Sequence, residues 1–262
     1  MIKVKTKEEI EIMREGGEIL AEVLKEVLKH AKAGVSELEL DQLAEKLIIE
    51  KGAEPGFKKV DGYKHTICIS INDVVVHGVP TEHRLKDGDV VGIDCGVYYK
   101  GFHTDAAQTV RVKSSRFPSS VGRQVQSLDE VDKFLKTGEK AMWEGIEAAK
   151  AGNRVGDISK AIQKVVEGQG YSVVRSLIGH GVGRELHEDP EVPGFLDGSV
   201  LETPLLKIGM TIAIEAIYNM GKSEVVFSNS DGWTIKSKDG SLSGLFERTI
   251  AITNEGAIVL TK

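Results

Sequence analysis

The sequence is poor in cysteine and aromatic residues, and it has no long apolar run. Cys68 and Cys95 are the two cysteines among 262 residues, and they do not form a CxxC motif. Two cysteines exclude a disulfide scaffold and are typical of a reducing compartment, so we expect a cytoplasmic protein. No apolar run approaches the ~20 residues of a membrane span, and residues 1–13 lack the apolar core of a signal peptide.

The sequence also has no excess of positive charge. Acidic residues outnumber basic ones by 40 to 34, and the formal net charge is -6. This balance argues against a broad phosphate-binding surface as the main feature of the protein, and so against nucleic acid as the primary substrate.

Helical periodicity and capping residues predict two pairs of amphipathic helices. The residues expected to cap them are, in chain order, Thr6, Ser36, Ser127 and Asp157. Residues 31–52 align without a gap on residues 149–170, an offset of 118, and six of the 22 positions are identical. Chance could produce so weak a match, but its coincidence with the caps favours a duplicated unit of two helices and a sheet.

Runs with a period of two predict strands after each helix pair. They are residues 67–71, 90–99 and 102–110, and then residues 172–178, 210–217, 233–237 and 245–253. Helices grouped before hairpins indicate an α+β fold with antiparallel pairing rather than a doubly wound sheet. We therefore expect one domain, residues 1–262, built from half-repeats of about 1–112 and 128–262 and a connection over 113–127.

Two aspartates stand in neighbouring predicted strands around a Lys100-Gly101 turn signal. If a two-residue loop joins the strands, Asp94 and Asp105 project from the same face as diagonal neighbours. An acidic pair on an apolar ladder is costly unless a cation lies between the carboxylates. The alternative is a solvated face with two ordinary surface residues.

Three further residues have unusual surroundings. Glu215 and Glu247 interrupt apolar strands, and His180 stands between glycines directly after a predicted strand. Taken singly, the glutamates could be edge charges or halves of buried ion pairs, and the histidine a hydrogen-bonded loop residue. With Asp94 and Asp105 they form an oxygen-rich set of charge -4, which two divalent cations would neutralise, and Mn, Fe, Co or Zn suits such ligands. A two-metal hydrolase is the resulting hypothesis.

Four segments together are recognisable, and they span nearly the whole chain. They read GIDCGVYYKGFHTDAAQT, GHGVGRELHEDP, MTIAIE and DGWTIKSKDGSLSGLFERT. In order and context they resemble the type I methionine aminopeptidases. The resemblance implies the pita-bread fold, with two halves related by a pseudo-twofold axis around a curved antiparallel sheet.

The resemblance also implies a ligand set for two divalent ions. Asp94 and Asp105 would bind one ion, His180 and Glu215 the other, and Asp105 and Glu247 would bridge them. A water activated by both ions would be the nucleophile, and Glu215 would also move its proton. Asp94 and its ion would anchor the free α-amine of the substrate.

Further residues resemble the family's substrate contacts. His77 and His187 correspond to two histidines that contact the scissile amide and stabilise the tetrahedral intermediate. The residues expected to line an apolar pocket for the methionine side chain are Phe57, Tyr63, Cys68, Leu186 and Trp233. Simple core packing is the alternative for these five residues.

The chain departs from the family pattern in three places. Arg248 stands where the family commonly has His, and Ala216 where Pro is usual. Either change could retune the surroundings of the metal ligands or the pocket entrance. The connection over 113–127 is longer than usual, and its Lys113, Arg116 and Arg123 could touch the ribosome or, as we favour, act as solubilising charge.

The expected function is removal of the initiator methionine from nascent proteins when the second residue is small. The resemblance implies a cytoplasmic monomer of the short bacterial form. An X-Pro aminopeptidase or prolidase of the same fold is one alternative, and a non-catalytic pita-bread binding protein is another. All five ligand positions are intact here, whereas binding proteins of this fold typically lose ligands.

Overall fold

A computed structural model of the chain describes residues 2–113, 124–228 and 231–262, without the side chains of residues 124–129. Its α-helices are α1 (Lys7–His30), α2 (Glu37–Glu50), α3 (Gln124–Ala148) and α4 (Val155–Glu167). Among the described residues, no helix is both long and apolar enough to cross a membrane.

Most strands join one antiparallel sheet. The strands are β1 (Glu54–Pro55), β2 (Ile67–Ile71), β3 (Val74–Val76), β4 (Val90–Tyr99), β5 (Phe102–Arg111), β6 (Ser172–Val173), β7 (Gly179–Gly181), β8 (Glu188–Val192), β9 (Thr211–Asn219), β10 (Val225–Phe227), β11 (Ile235–Ser237), β12 (Ser243–Thr253) and β13 (Gly256–Val259). The main sheet runs β1-β4-β5-β12-β9-β7-β8, with β2 beside β4, β6 beside β9 and β13 beside β12. A small sheet has the order β10-β11-β3. The predicted α+β class with antiparallel pairing is confirmed.

Local hydrogen bonds explain where the helices begin. The Glu9 amide donates to the Thr6 hydroxyl at 3.2 Å, and the Thr6 amide donates to the Glu9 carboxylate at 2.9 Å. Ser36 caps α2 through the same reciprocal arrangement, so these two predictions are confirmed.

The predicted starts of the other two helices are wrong. Helix α3 already begins at Gln124, so Ser127 lies inside it and residues 124–127 do not belong to a connection. Helix α4 begins after Arg154, and Asp157 is its third residue. The Asp157 carboxylate accepts a hydrogen bond from the Arg154 amide at 2.8 Å, so it caps the helix from within the first turn.

Each helix pair covers its own apolar core. Leu20 and Leu40 of α1 and α2 pack with Ile93 of β4 in the first core. Phe134 and Ile158 of α3 and α4 pack with residues of β9 and β12 in the second. Full burial of one such side chain contributes about 1.5–3 kcal/mol. The helix ends keep the predicted offset, because both His30 to Ala148 and Glu37 to Val155 are 118 positions.

The two helix-covered parts of the sheet meet where β5 pairs with β12. Threonine side chains bridge this seam at both ends. The Thr249 hydroxyl donates to Asp105 O at 2.8 Å and accepts from Asp105 N at 2.9 Å. Thr109 does the same with Leu245, at 2.7 and 2.9 Å. The bridges are related by twofold symmetry, because Asp105 and Leu245, like Thr109 and Thr249, are 140 positions apart.

Two strand predictions are too long. Of residues 172–178, only Ser172–Val173 is a strand, and His180 lies within β7 rather than after a strand. Strand β11 begins at Ile235 because the amides of Trp233 and Thr234 both donate to the Asp231 carboxylate at 2.8 Å and are not available to a ladder.

Candidate active site

A tight hairpin presents the two aspartates. Strands β4 and β5 are joined by Lys100 and Gly101, whose φ angles of 47° and 92° are both positive, as a two-residue hairpin turn with the right twist requires. Asp94 lies opposite Ala107, two residues beyond Asp105. The aspartates are therefore diagonal neighbours on one face of the sheet, as predicted for strands joined by a two-residue loop.

Neighbouring strands add the remaining polar residues. Glu247 of β12 lies directly opposite Glu215 of β9, and on its other side β12 pairs with β5, which carries Asp105. Strand β7 pairs with β9 and contributes His180. Asp94 and the four other side chains thus meet at the middle of the sheet, on the consecutive strands β4, β5, β12, β9 and β7.

The spacing of these atoms suits a shared cation. His180 Nε2 lies 4.0 Å from Asp105 Oδ2 and 3.7 Å from Glu215 Oε1. Ligand atoms of Asp105, His180 and Glu247 all lie within 4.8 Å of one another. The Nδ1 atom of His180 is 2.8 Å from Gly181 O and donates to it, which leaves Nε2 with a lone pair toward the carboxylates.

Glycines on both sides of His180 allow its strand to fit between β8 and β9. A Cβ atom on Gly179 would lie 2.5 Å from Ala213 O, and one on Gly181 would lie 2.2 Å from Asp189 O. Any side chain at either position would push the strand away from its neighbours. The Gly-His-Gly sequence is therefore a packing requirement for bringing the imidazole to the carboxylates.

Buried oxygens in this cluster fit metal ligation. Asp94 Oδ1, Asp105 Oδ1 and Glu247 Oε1 are buried and, within the described residues, have no hydrogen-bond partner. Burial of unsatisfied carboxylate oxygens costs several kcal/mol unless a cation compensates. Oxygen donors with one imidazole are a set that divalent transition metals bind.

The pKa values in the cluster are displaced because carboxyl groups and an imidazole are buried together. Burial raises the pKa of Asp94 to about 7. Burial, followed by the charges of neighbouring carboxylates, also raises the pKa values of Asp105, Glu215 and Glu247. Burial lowers the pKa of His180 to about 4, so its imidazole is neutral at pH 7 and able to bind a metal.

All twelve residues proposed from the sequence line one cavity of about 120 Å³. They are Phe57, Tyr63, Cys68, His77, Asp94, Asp105, His180, Leu186, His187, Glu215, Trp233 and Glu247. The acidic cluster and the apolar residues therefore face the same space. None of the twelve lines the larger groove of about 740 Å³ between α3 and α4, whose described lining includes four lysines and two carboxylates.

Sequence reasoning missed three lining residues, Val60, Val76 and Leu245. Leu245 could have been found, because it precedes Glu247 by two positions on the same strand and so shares its face. Val60 and Val76 carry no comparable signal, since an apolar residue beside a cavity looks like any core residue in a sequence.

The apolar side of the cavity is ordered by its aromatic rings. The ring of Tyr63 meets that of Phe57 edge-to-face at 6.4 Å and that of Trp233 at 5.1 Å. The Tyr63 hydroxyl donates to Ile67 O at 2.9 Å and accepts from the Cys68 thiol at 3.2 Å. Its polar tip is thereby satisfied, and an apolar wall faces the cavity.

Two histidines that are not in the carboxylate cluster flank it. His77 has a φ angle of 56°, a left-handed conformation that is uncommon outside glycine and typical of functional sites. The ring of His187 lies 4.4 Å from that of His180. Burial lowers the pKa values of His77 and His187, which keeps both imidazoles neutral at pH 7.

The departures from the family pattern lie outside the cavity. Ala216 is fully buried opposite Phe246 in the core beneath α3 and α4, so it does not contact the pocket entrance. Arg248 is half-buried on the same, helix-covered face. Lys113 is exposed, whereas Arg116 and Arg123 lie outside the described residues.

Comparison with known proteins shows the family to which the chain belongs. A model of metallopeptidase family M24 matches residues 11–254. A methionine aminopeptidase of Clostridium perfringens is 43% identical over 261 residues, which cover 100% of this chain and 99% of that protein. The crystal structure of a methionine aminopeptidase from Thermotoga maritima superposes with a TM-score of 0.90 at 38% identity, covering 100% of both chains.

A prolidase from Pyrococcus furiosus is less similar. It superposes with a TM-score of 0.73 at 26% identity, and the match covers 99% of this chain and 65% of the prolidase. The common fold extends to both groups, which confirms the pita-bread architecture, but the sequence is nearer to the aminopeptidases. The chain belongs to metallopeptidase family M24 and, within it, to the methionine aminopeptidases.

Proposed function

We propose that this protein is a cytoplasmic, monomeric enzyme that removes the initiator methionine from nascent polypeptides when the second residue is small, and that it uses two divalent ions. The observation that carries this proposal is the junction of two surfaces in one cavity. Asp94, Asp105, Glu215, Glu247 and His180 converge on one side of it. An apolar wall that could accept one methionine side chain forms the other.

The chain's own residues supply a complete ligand set. Asp94 and Asp105 would hold one ion, His180 and Glu215 the other, and Asp105 and Glu247 both. Two divalent ions would neutralise the four carboxylates and, when bound, would lower the pKa of a water molecule and polarise the scissile carbonyl. Co, Mn, Fe and Zn all suit this donor set.

Proton movement and orientation fall to residues around the ligands. Glu215 is suited to accept a proton from the attacking water, because burial raises its pKa. His77 and His187 both line the cavity and are neutral at pH 7. Each can therefore donate one hydrogen bond to the scissile amide or to the oxygen on which charge develops.

The lining of the cavity supports a preference for one terminal residue. The acidic cluster and the apolar wall line the same space of about 120 Å³. A free α-amine would be attracted to Asp94, whereas an uncharged peptide group continuing the chain would meet buried carboxylates. Cleavage is therefore confined to the first peptide bond of a chain whose first side chain fits the apolar wall.

Turnover of a Met-Ala-Ser peptide by metal-loaded protein tests the assigned roles. Glu215→Gln and His77→Ala should each lower kcat by about 100-fold or more. Tyr171→Phe is the matched control, because Tyr171 packs against Phe134 in the second core. Unimpaired turnover by both site variants would refute the roles, and cleavage of an Ala-Pro peptide in preference to Met-Ala would favour a prolidase-like enzyme.

Further measurements test the finer parts of the proposal. Apoprotein titrated separately with Fe, Mn, Co and Zn should reach maximal activity at two ions per chain. Light scattering should give the mass of one chain, 28.5 kDa. We assign the exposed Lys113 a solubilising role, and loss of cosedimentation with ribosomes in Lys113→Glu would instead support the competing hypothesis of a ribosome contact.

A further inference from the structure

Arg248 lies directly behind the carboxylate cluster. It follows Glu247 in β12, and successive residues of a strand point to opposite faces of the sheet. Glu247 faces the cavity, so Arg248 projects to the other face, toward α3 and the charge of Glu139. At this point the ladder pairs Glu247 with Ala107 and Arg248 with Ala106 of β5.

The guanidinium binds acceptors on both strands of the seam. Its Nη1 atom donates to Ala107 O at 3.0 Å and to Glu247 O at 2.7 Å. Its Nη2 atom donates to Gln108 Oε1 at 2.9 Å. Gln108 precedes Arg248 by 140 positions, so the two residues occupy equivalent places in β5 and β12. Their side chains bond to each other across the middle of the seam.

This seam determines how the two chain segments present their carboxylates. Asp105 comes from β5 and Glu247 from β12, and the ladder between these strands pairs only two positions in the described residues. The separation of the two carboxylates therefore depends on the side-chain bridges across the seam. Thr109 and Thr249 fix its ends, whereas Arg248 binds the backbone at the residue that carries one of the ligands.

We propose that Arg248 is a positioning residue for the metal site: its planar guanidinium fixes the spacing of β5 and β12 and thereby the separation of the Asp105 and Glu247 carboxylates. The inference rests on the metal site of the proposed function. A flat fork can bind three acceptors in fixed directions, whereas the ammonium group of a lysine is a single point charge on a flexible stem.

Calorimetric titration of apoprotein with Co²⁺ tests this role without measuring activity. Arg248→Met and Arg248→Lys should both bind Co²⁺ about 10-fold more weakly than the wild type, which is the usual effect of removing a hydrogen-bond partner behind a ligand. Arg111→Lys is the matched control. Arg111 is a largely buried arginine of β5 that pairs with Asp132 at 3.1 Å, and its replacement should leave the Co²⁺ affinity unchanged.

Gln108→Ala provides an independent variant that keeps Arg248. It removes one of the three acceptors and should weaken Co²⁺ binding in the same direction but less strongly. The double variant with Arg248→Met should bind Co²⁺ no more weakly than Arg248→Met alone, because both changes break the same set of hydrogen bonds.

Three results would overturn the inference. One is wild-type Co²⁺ affinity in both Arg248→Met and Gln108→Ala, even if the variants unfold at lower temperature. Another is full rescue by Arg248→Lys, which would show that charge alone matters. Failure of the wild type to bind Co²⁺ would overturn the proposed function itself and this role with it.

Discussion

Glu215 and Glu247 lie directly opposite each other on the antiparallel ladder of β9 and β12. Glu247 is 2% exposed, and 12% of the Glu215 side chain is accessible. Like charges at directly opposed positions destabilise a sheet, and burial strengthens their repulsion. The opposed glutamates therefore lower the stability of the fold when no metal is bound. Their position in the sheet is explained by the binding of a cation.

The stability of the metal-free protein should depend on pH in an unusual direction. The pKa of Asp94 is about 7 in the folded protein, against an ordinary value of 3.8. Between these values the folded state holds a proton that the unfolded chain releases, so the free energy of unfolding should fall as pH rises from about 4 to about 7.

Thermal denaturation in EDTA measures this effect. Asp94→Asn is the control, because its amide keeps the shape of the side chain but does not titrate. The midpoint of the wild type should fall relative to that of Asp94→Asn as pH rises through this window. A difference that stays constant with pH would show that Asp94 is ionised normally in the metal-free state.

Removing one charge from the opposed pair should stabilise the metal-free protein and weaken metal binding. Glu247→Gln relieves the repulsion, and we expect its free energy of unfolding in EDTA near pH 8 to rise by about 1–2 kcal/mol, comparable to one pKa unit. Glu255→Gln, an exposed change in the turn after the same strand, should alter stability by less than about 0.5 kcal/mol. Urea unfolding compares the two, and a destabilised Glu247→Gln would contradict the repulsion.

The aspartate hairpin could be predicted because its determinants are local. A Lys-Gly turn fixes the register, and the register fixes which carboxylates share a face. The capping boxes of α1 and α2 were predictable for the same reason. In each case the residues that decide the structure are within a few positions of one another.

The central seam could not be predicted, because it joins distant segments. The helices repeat at an offset of 118, whereas β5 and β12 are related by 140. Two residues join β4 to β5, but the β10–β11 hairpin lies between β9 and β12. An alignment of the helices alone therefore does not reveal that Gln108 lies beside Arg248. The hydrogen bonds of the Arg248 guanidinium behind Glu247 are seen only in the structure.

A buried ion pair near the cavity should be essential for stability. Lys5 Nζ lies 2.6 Å from Glu188 Oε2, and both side chains are less than 5% exposed. Glu188 follows His187, so the pair also fixes the segment that carries this histidine. Lys5→Met should lower the free energy of unfolding by about 3 kcal/mol, because it leaves a buried carboxylate without its main partner.

Lys3 provides a matched control for this pair. Its ammonium approaches the same carboxylate at 3.3 Å, but its side chain is 54% exposed. Lys3→Met should therefore cost less than about 1 kcal/mol. Equal losses for both variants in urea unfolding would show that burial of the Lys5 pair contributes nothing.

Variants of the two cysteines can distinguish a residue that contacts the substrate from one that only packs in the core. Cys68 and Cys95 are both free and buried, yet Cys68 lines the cavity and Cys95 packs in the core beneath α1 and α2. Cys68→Ala should raise KM for a Met-Ala-Ser peptide about 5-fold, since one buried sulfur contact with the methionine side chain contributes about 1 kcal/mol.

Cys95→Ala should change the stability of the protein and not its KM. It leaves a small cavity in the core, so the free energy of unfolding should fall by about 1–2 kcal/mol while KM stays at the wild-type value. Peptide kinetics and urea unfolding on both variants measure the contrast. If Cys68→Ala lowered stability without changing KM, Cys68 and the other four residues assigned to the pocket would be ordinary core, and the methionine pocket would have to lie elsewhere.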